Sequence, residues 1–108
     1  MHRDFRPFTR QEIDGWLAAL EEQPDWCRSI HMYYRTGTGH CAVGLFGKSI
    51  GDPHCDSQRF CDFTAWLSTT KRDGLDVNAF NTITAMSDGE IPFRTIAKWV
   101  RANIEVSP

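Results

Sequence analysis

"TGTGHCAVGLFG", residues 36–47, is the stretch whose reading decides the fold. A glycine-punctuated turn runs into Cys41, and a run of small and apolar residues follows. Read as a helix, it places Ala42, Leu45 and Phe46 on one face, with Ile50 a turn further on. Read as the returning arm of a β-hairpin, it turns at Thr36 to Gly39 and pairs with the end of "DWCRSIHMYY", residues 25–34, where Tyr33 and Tyr34 favour a strand. The helical face is the better match. It predicts a mainly α fold: a single small domain of five to six short amphipathic helices, with a short β-hairpin near 30–46 as the alternative. In the helical version of 25–34, Asp25 caps and Trp26, Ile30, Tyr33 and Tyr34 share a face.

The flanking segments carry the same period. "TRQEIDGWLAALEEQP" is the clearest helix. Thr9 and Glu12 have capping-box spacing, Ile13, Trp16, Leu17 and Leu20 form the apolar stripe, and Pro24 marks the stop. "GDPHCDS" is a loop, after which Asp56 or Ser57 caps a helix burying Phe60, Phe63, Trp66 and Leu67. Lys71 and Arg72 suit the negative end of that helix, and Gly74 suits its left-handed cap. Asp76 is the expected cap of a helix with Val77, Phe80 and Ile83 inside. "SDGE" is a turn. Pro92 opens a last helix whose buried face is Phe93, Ile96, Ala97, Val100 and Ile104.

The bulk numbers agree with one globular domain. The chain has 108 residues, 41% of them hydrophobic and 24% charged, with four Trp and seven Phe. That aromatic supply excludes a disordered chain. A net charge of -2 gives no global basic field for nucleic acid or an anionic membrane. No apolar run reaches the roughly 20 residues of a membrane span, and the N-terminus lacks a signal-type apolar core. A cytoplasmic location is therefore expected, with the four cysteines reduced.

Three constellations bear on chemistry. Cys41 in the first turn of a helix would have a lowered thiol pKa, and a cysteine nucleophile needs a histidine base. His40 points about 100° away on a helix, so His31 and His54 are the candidate bases. The bland reading makes Cys41 a small core residue. A zinc site would draw on Cys27 and His31, four apart, with His54 and Cys55. No C-x-x-C occurs, and no metal or other cofactor is expected. The segment "ITAMSDGEIPFRTIAKWVR" has a helix-turn-helix outline that would aim Arg94, Lys98 and Arg101 at a nucleic acid. Its turn is long for that motif, and a plain helix pair with a solvated basic face competes with it. "GTGHCAVG" matches neither phosphate-loop nor dinucleotide spacing.

The motif order "PDWCRSIHMYYRTGTG", "HCAVGLFG", "FNTITAMSDGEIPFRTIAKWV" resembles a family of small helical domains of unknown function, mostly from actinobacteria and their phages. Trp26, Cys41, Ala42, Val43, Gly44, Asp88 and Thr95 occupy the matching places over residues 25–104. Ser87 stands where that family usually has Asn, and Leu45 where it has a small residue. The resemblance implies a helical 40–50 and a bacterial or phage origin, and it carries over no functional residue. "CAVG" then reads as a close-packing face. The expected function is an accessory module that binds another protein, with Tyr33, Tyr34 and Trp99 as its interaction patch. Nucleic-acid binding and thiol catalysis are the alternatives, and no membrane partner is expected.

Overall fold

The computed structural model describes residues 8–24, 28, 33–35, 39–69 and 78–104. Asp25, Trp26, Cys27, Ile30, His31, Thr36, Lys71, Arg72, Gly74, Asp76 and Val77 lie outside the described residues. The described residues form five helices: α1 (Arg10–Glu22), α2 (Gly44–Ser49), α3 (Gln58–Thr69), α4 (Ala79–Asp88) and α5 (Phe93–Asn103). Between α1 and α2, β1 (Tyr34–Arg35) pairs antiparallel with β2 (Gly39–His40), Tyr34 opposite His40 and Arg35 opposite Gly39. The fold is thus mainly α, with this two-residue ladder and a single bridge residue, Asn78, as its β content among the described residues.

Local chemistry sets most helix ends. Thr9 accepts the Glu12 amide at 3.2 Å and Glu12 returns a bond to the Thr9 amide at 3.1 Å, so the capping box forms. The hydroxyl of Ser57 caps α3 through the Phe60 amide at 3.2 Å. Asn78 caps α4 through the Asn81 amide at 2.8 Å, in place of the expected Asp76. Helix α4 also runs through Ser87 and Asp88, so the "SDGE" turn shrinks to Gly89 and Glu90. There the Ile91 amide reaches the Met86 carbonyl and the Glu90 amide the Ser87 carbonyl, with Glu90 at φ 62°. This is a Schellman ending whose left-handed residue is not glycine. Pro92 stands at the N-cap of α5, one residue before the first turn.

The expected stripes are the buried faces: Ile13, Trp16, Leu17 and Leu20 on α1, and Phe93, Ile96, Ala97 and Val100 on α5. Trp66 is only partly buried. Helix α1 packs on α2 and α5, α3 on α4, and α4 on α5. An aromatic cluster joins them. Phe46 stacks on Phe63 at 3.7 Å, and Trp16 meets Phe63 edge-on at 4.9 Å. Phe8 closes the cluster, and Arg59 covers its ring at 3.8 Å while binding Glu12 through two hydrogen bonds of 2.6 and 2.8 Å.

The deciding stretch holds both readings in succession. Tyr34–Arg35 and Gly39–His40 pair as strands, correcting the helical expectation for these residues, and the helix begins only at Gly44. The register carries one step further through the Cys41 amide, which bonds the Tyr33 carbonyl at 3.2 Å, and residues 42–43 then turn into α2.

Candidate functional site

Cys41 is not in a first helical turn. It precedes α2 and serves as a cap: its sulfur accepts the Gly44 amide at 3.4 Å and its carbonyl accepts the Leu45 amide at 3.0 Å. The thiol is in a residue only 4% exposed. Burial pushes its pKa up, against the opposing effect of the Gly44 and Val43 amides. The next residue is gripped at both its amide and its carbonyl. The Ala42 amide donates to the Ser87 hydroxyl at 3.0 Å, and the Ala42 carbonyl accepts the Trp16 indole N–H at 2.8 Å. Gly44 lies against the hairpin so closely that a Cβ there would sit 1.9 Å from the Tyr33 carbonyl oxygen. "CAVG" is therefore a close-packing turn, locked to α1, α4 and β1 by buried polar bonds.

Beside this hub the hairpin meets the 50–57 loop. The His40 imidazole Nε2 bonds the Pro53 carbonyl at 2.6 Å. The Tyr34 ring lies 4.7 Å from the His40 ring and 5.3 Å from that of His54. Tyr33 is 37% exposed, with its ring edge-on to Phe60 at 5.0 Å and 6.3 Å from Phe80. Partial burial, with the thiols of Cys41, Cys55 and Cys61 nearby, pushes its phenol up. Tyr34 thus groups with His40 and the exposed His54, and Tyr33 with Phe60 and Phe80. Within the loop, Asp52 accepts the Ser57 and Asp56 amides at 3.0 and 3.3 Å, which holds its carboxyl at about 2.

Other candidate residues are dispersed. His54 faces Tyr34, and the Cys55 thiol donates to the Gly44 carbonyl at 3.4 Å, its pKa pushed up to about 12 by burial and by Asp52. Their expected metal partners Cys27 and His31 lie outside the described residues, as does His31 as a base for Cys41. Among the described residues no three His, Cys, Asp or Glu side chains converge on a metal position. On α5, Arg94 donates to the Glu21 carbonyl at 3.4 Å, Arg101 pairs with the Glu21 carboxylate, and Lys98 is exposed. The two arginines are thus turned onto α1. Trp99 is half-buried against the core on α5, whereas the tyrosine rings meet His40, His54, Phe60 and Phe80.

Sequence reading assigned no site role to Ser87, His40 or Arg28. Ser87 was detectable, because it continues the i, i+4 series Ala79, Ile83 that α4 buries. Arg28 is 7% exposed, donates to the Ser87 carbonyl at 3.0 Å and covers the Phe93 ring at 4.1 Å. A cation at that place complements the carbonyl end of α4, and nothing local in sequence announces it. No helix among the described residues is long and apolar enough to cross a membrane. No protein-family model matches the chain, and neither the curated proteins nor the solved structures contain a significant match to it.

Proposed function

We propose that this chain is a protein-binding accessory module of a bacterial or phage cytoplasm, and that it engages its partner through Tyr33, Tyr34 and His54. The observation that carries this reading is a pair of braced tyrosines: Tyr34 against the rings of His40 and His54, and a Tyr33 that is 37% exposed and braced on Phe60. Aromatic groups already fixed by neighbours lose little entropy on binding and anchor interfaces well. The burial of Cys41 supports binding over thiol chemistry, since a nucleophile needs access and a depressed pKa. The engagement of Arg94 and Arg101 with Glu21 supports it over a nucleic-acid face on α5. The resemblance carried by Cys41 to Gly44, Asp88 and Thr95 supports the bacterial or phage setting.

The test is site-specific photo-cross-linking in the cell of origin, from position 33 and, as control, from the exposed Asp14 on α1. A discrete protein adduct from position 33 is expected, competed by excess unmodified chain and not by its Tyr34→Ala variant. Equal adducts from both positions, or none from position 33, would overturn the reading. An adduct removed by nuclease would assign the surface to nucleic acid.

A further inference from the structure

We infer that the protein partner presents an extended segment, which adds as a further strand along the outer edge of β1 at Tyr34. The inference rests on the function proposed above and names the form that the partner takes at that surface.

Register decides which backbone groups of the hairpin face outward. The Cys41 amide bonds the Tyr33 carbonyl, so residues 33 and 41 form a hydrogen-bonded pair, and Arg35 with Gly39 is the next such pair. Tyr34 and His40 lie between them as a non-hydrogen-bonded pair, in which the amide and carbonyl of each residue point away from the other strand. Side chains of such a pair come close together, and the Tyr34 and His40 rings are 4.7 Å apart.

The two edges of the ladder differ. On the β2 side the outward-facing residues are His40 and then Ala42. His40 is 5% exposed, and Ala42 gives its amide to Ser87 and its carbonyl to Trp16. That edge is closed by α1 and α4. On the β1 side the outward-facing residue is Tyr34, whose amide and carbonyl make no hydrogen bond among the described residues. Tyr34 is only half-buried, and Tyr33 beside it is exposed. A donor and an acceptor on one residue of an open edge are the groups that an added strand takes up.

The side chains favour the same occupant. Successive residues of an extended chain face opposite ways. The two tyrosines accordingly meet different neighbours, Tyr34 the rings of His40 and His54, and Tyr33 those of Phe60 and Phe80. A flat surface laid on one face of the ladder reaches one of these rings. An extended segment along the edge alternates in the same way, so its residue opposite Tyr34 lies beside that ring and the adjoining residues lie on the Tyr33 side. Backbone bonds then supply sequence-independent affinity, and the two ring groups select the side chains. The group that meets the Tyr34 carbonyl is an N–H, which excludes proline there.

The test uses the full chain prepared with an ester in place of the peptide N–H of Tyr34, a change that removes the donor and keeps every side chain. Cross-linking from position 33 is repeated with this chain, and its melting temperature is compared with that of the unaltered chain. In parallel, amide exchange of the unaltered chain is followed by NMR, alone and with the protein recovered from the adduct. The expected result is an unchanged melting temperature, an adduct yield about tenfold lower at limiting concentration, and a Tyr34 amide that gains protection on binding while α1 is unaffected. An equal adduct yield from the ester chain, or a Tyr34 amide that exchanges equally fast with the partner bound, overturns the strand pairing and leaves the proposed surface standing. No adduct from the unaltered chain overturns that surface and the pairing with it. If the ester chain melts early, the exchange of the Tyr34 amide decides.

Discussion

The indole N–H of Trp16 donates to the carbonyl of Ala42 at 2.8 Å, and both residues are wholly buried. The amide of the same residue donates to Ser87, so one turn is held by two helices distant in sequence. Ser87→Ala leaves the Ala42 amide buried with no acceptor and should cost about 1–3 kcal/mol. Trp16→Phe removes a donor and also leaves space in the core, for a loss of about 2–4 kcal/mol. Chemical denaturation measures both. Losses within experimental error would mean that the turn is not the hub described.

Gly44 and Gly15 should respond in opposite directions. A Cβ at Gly44 meets the Tyr33 carbonyl oxygen at 1.9 Å, a backbone atom that moves only with the hairpin. Gly44→Ala should therefore cost more than about 3 kcal/mol or prevent folding. Gly15 lies inside α1 with nothing within 4 Å of its Cβ position, and Gly15→Ala should stabilise by about 0.5–1 kcal/mol. Paired thermal melts check the contrast.

Glu90 adopts a left-handed conformation at φ 62° where a Schellman ending favours glycine. Glu90→Gly should raise stability by about 0.5–1 kcal/mol, because relief of backbone strain exceeds the entropy lost from the more flexible unfolded chain. A lower melting temperature in this variant would contradict the assignment of that turn.

The thiols should label in the order Cys61, Cys55, Cys41. Cys61 is exposed; Cys55 is half-buried with a pKa pushed to about 12; Cys41 is buried. At pH 7 a thiol of that pKa is ionised about once in 10⁵ molecules, so partial exposure does not make it reactive. Mass spectrometry after timed alkylation of the native protein reads the order. Fast labelling of Cys41 near neutral pH would revive thiol chemistry.

Glu12 is held at about 2, chiefly by its hydrogen bonds from Arg59 and despite partial burial. Its folded pKa lies below the unfolded value, so its contribution is full above about pH 4.5 and is lost as pH falls toward 2. The two side chains are 22% and 19% exposed, and after solvent screening the contribution is about 1–2 kcal/mol. Glu12→Gln should lower stability by that amount at pH 7 and have little effect near pH 2. A difference that stays constant across this range would rule out the ion pair as its source.

The helices and some of their ends were legible in the sequence because their causes are local. The stripe of α1, its Thr9–Glu12 box, the Ser57 cap and the apolar face of α5 all lie within a few residues of the backbone they organise. The close-packing character of "CAVG" was legible too, through the small size of Cys41, Ala42 and Gly44. The hairpin was not separable from a helix, since strands of two residues are too short to display a period.

What the sequence determined alone was therefore the mainly helical class, the buried stripes and the sites of close approach. The tertiary structure decided which groups meet: Trp16 and Ser87 on the backbone of Ala42, Gly44 against Tyr33, His40 against Pro53, and Arg59 between Phe8 and Glu12. Each of these contacts spans from 11 to more than 40 positions of chain. Hydrophobic periodicity reports which face of an element is buried, but a hydrogen bond or ion pair needs a particular partner at a particular distance. That pairing exists only once the elements have packed.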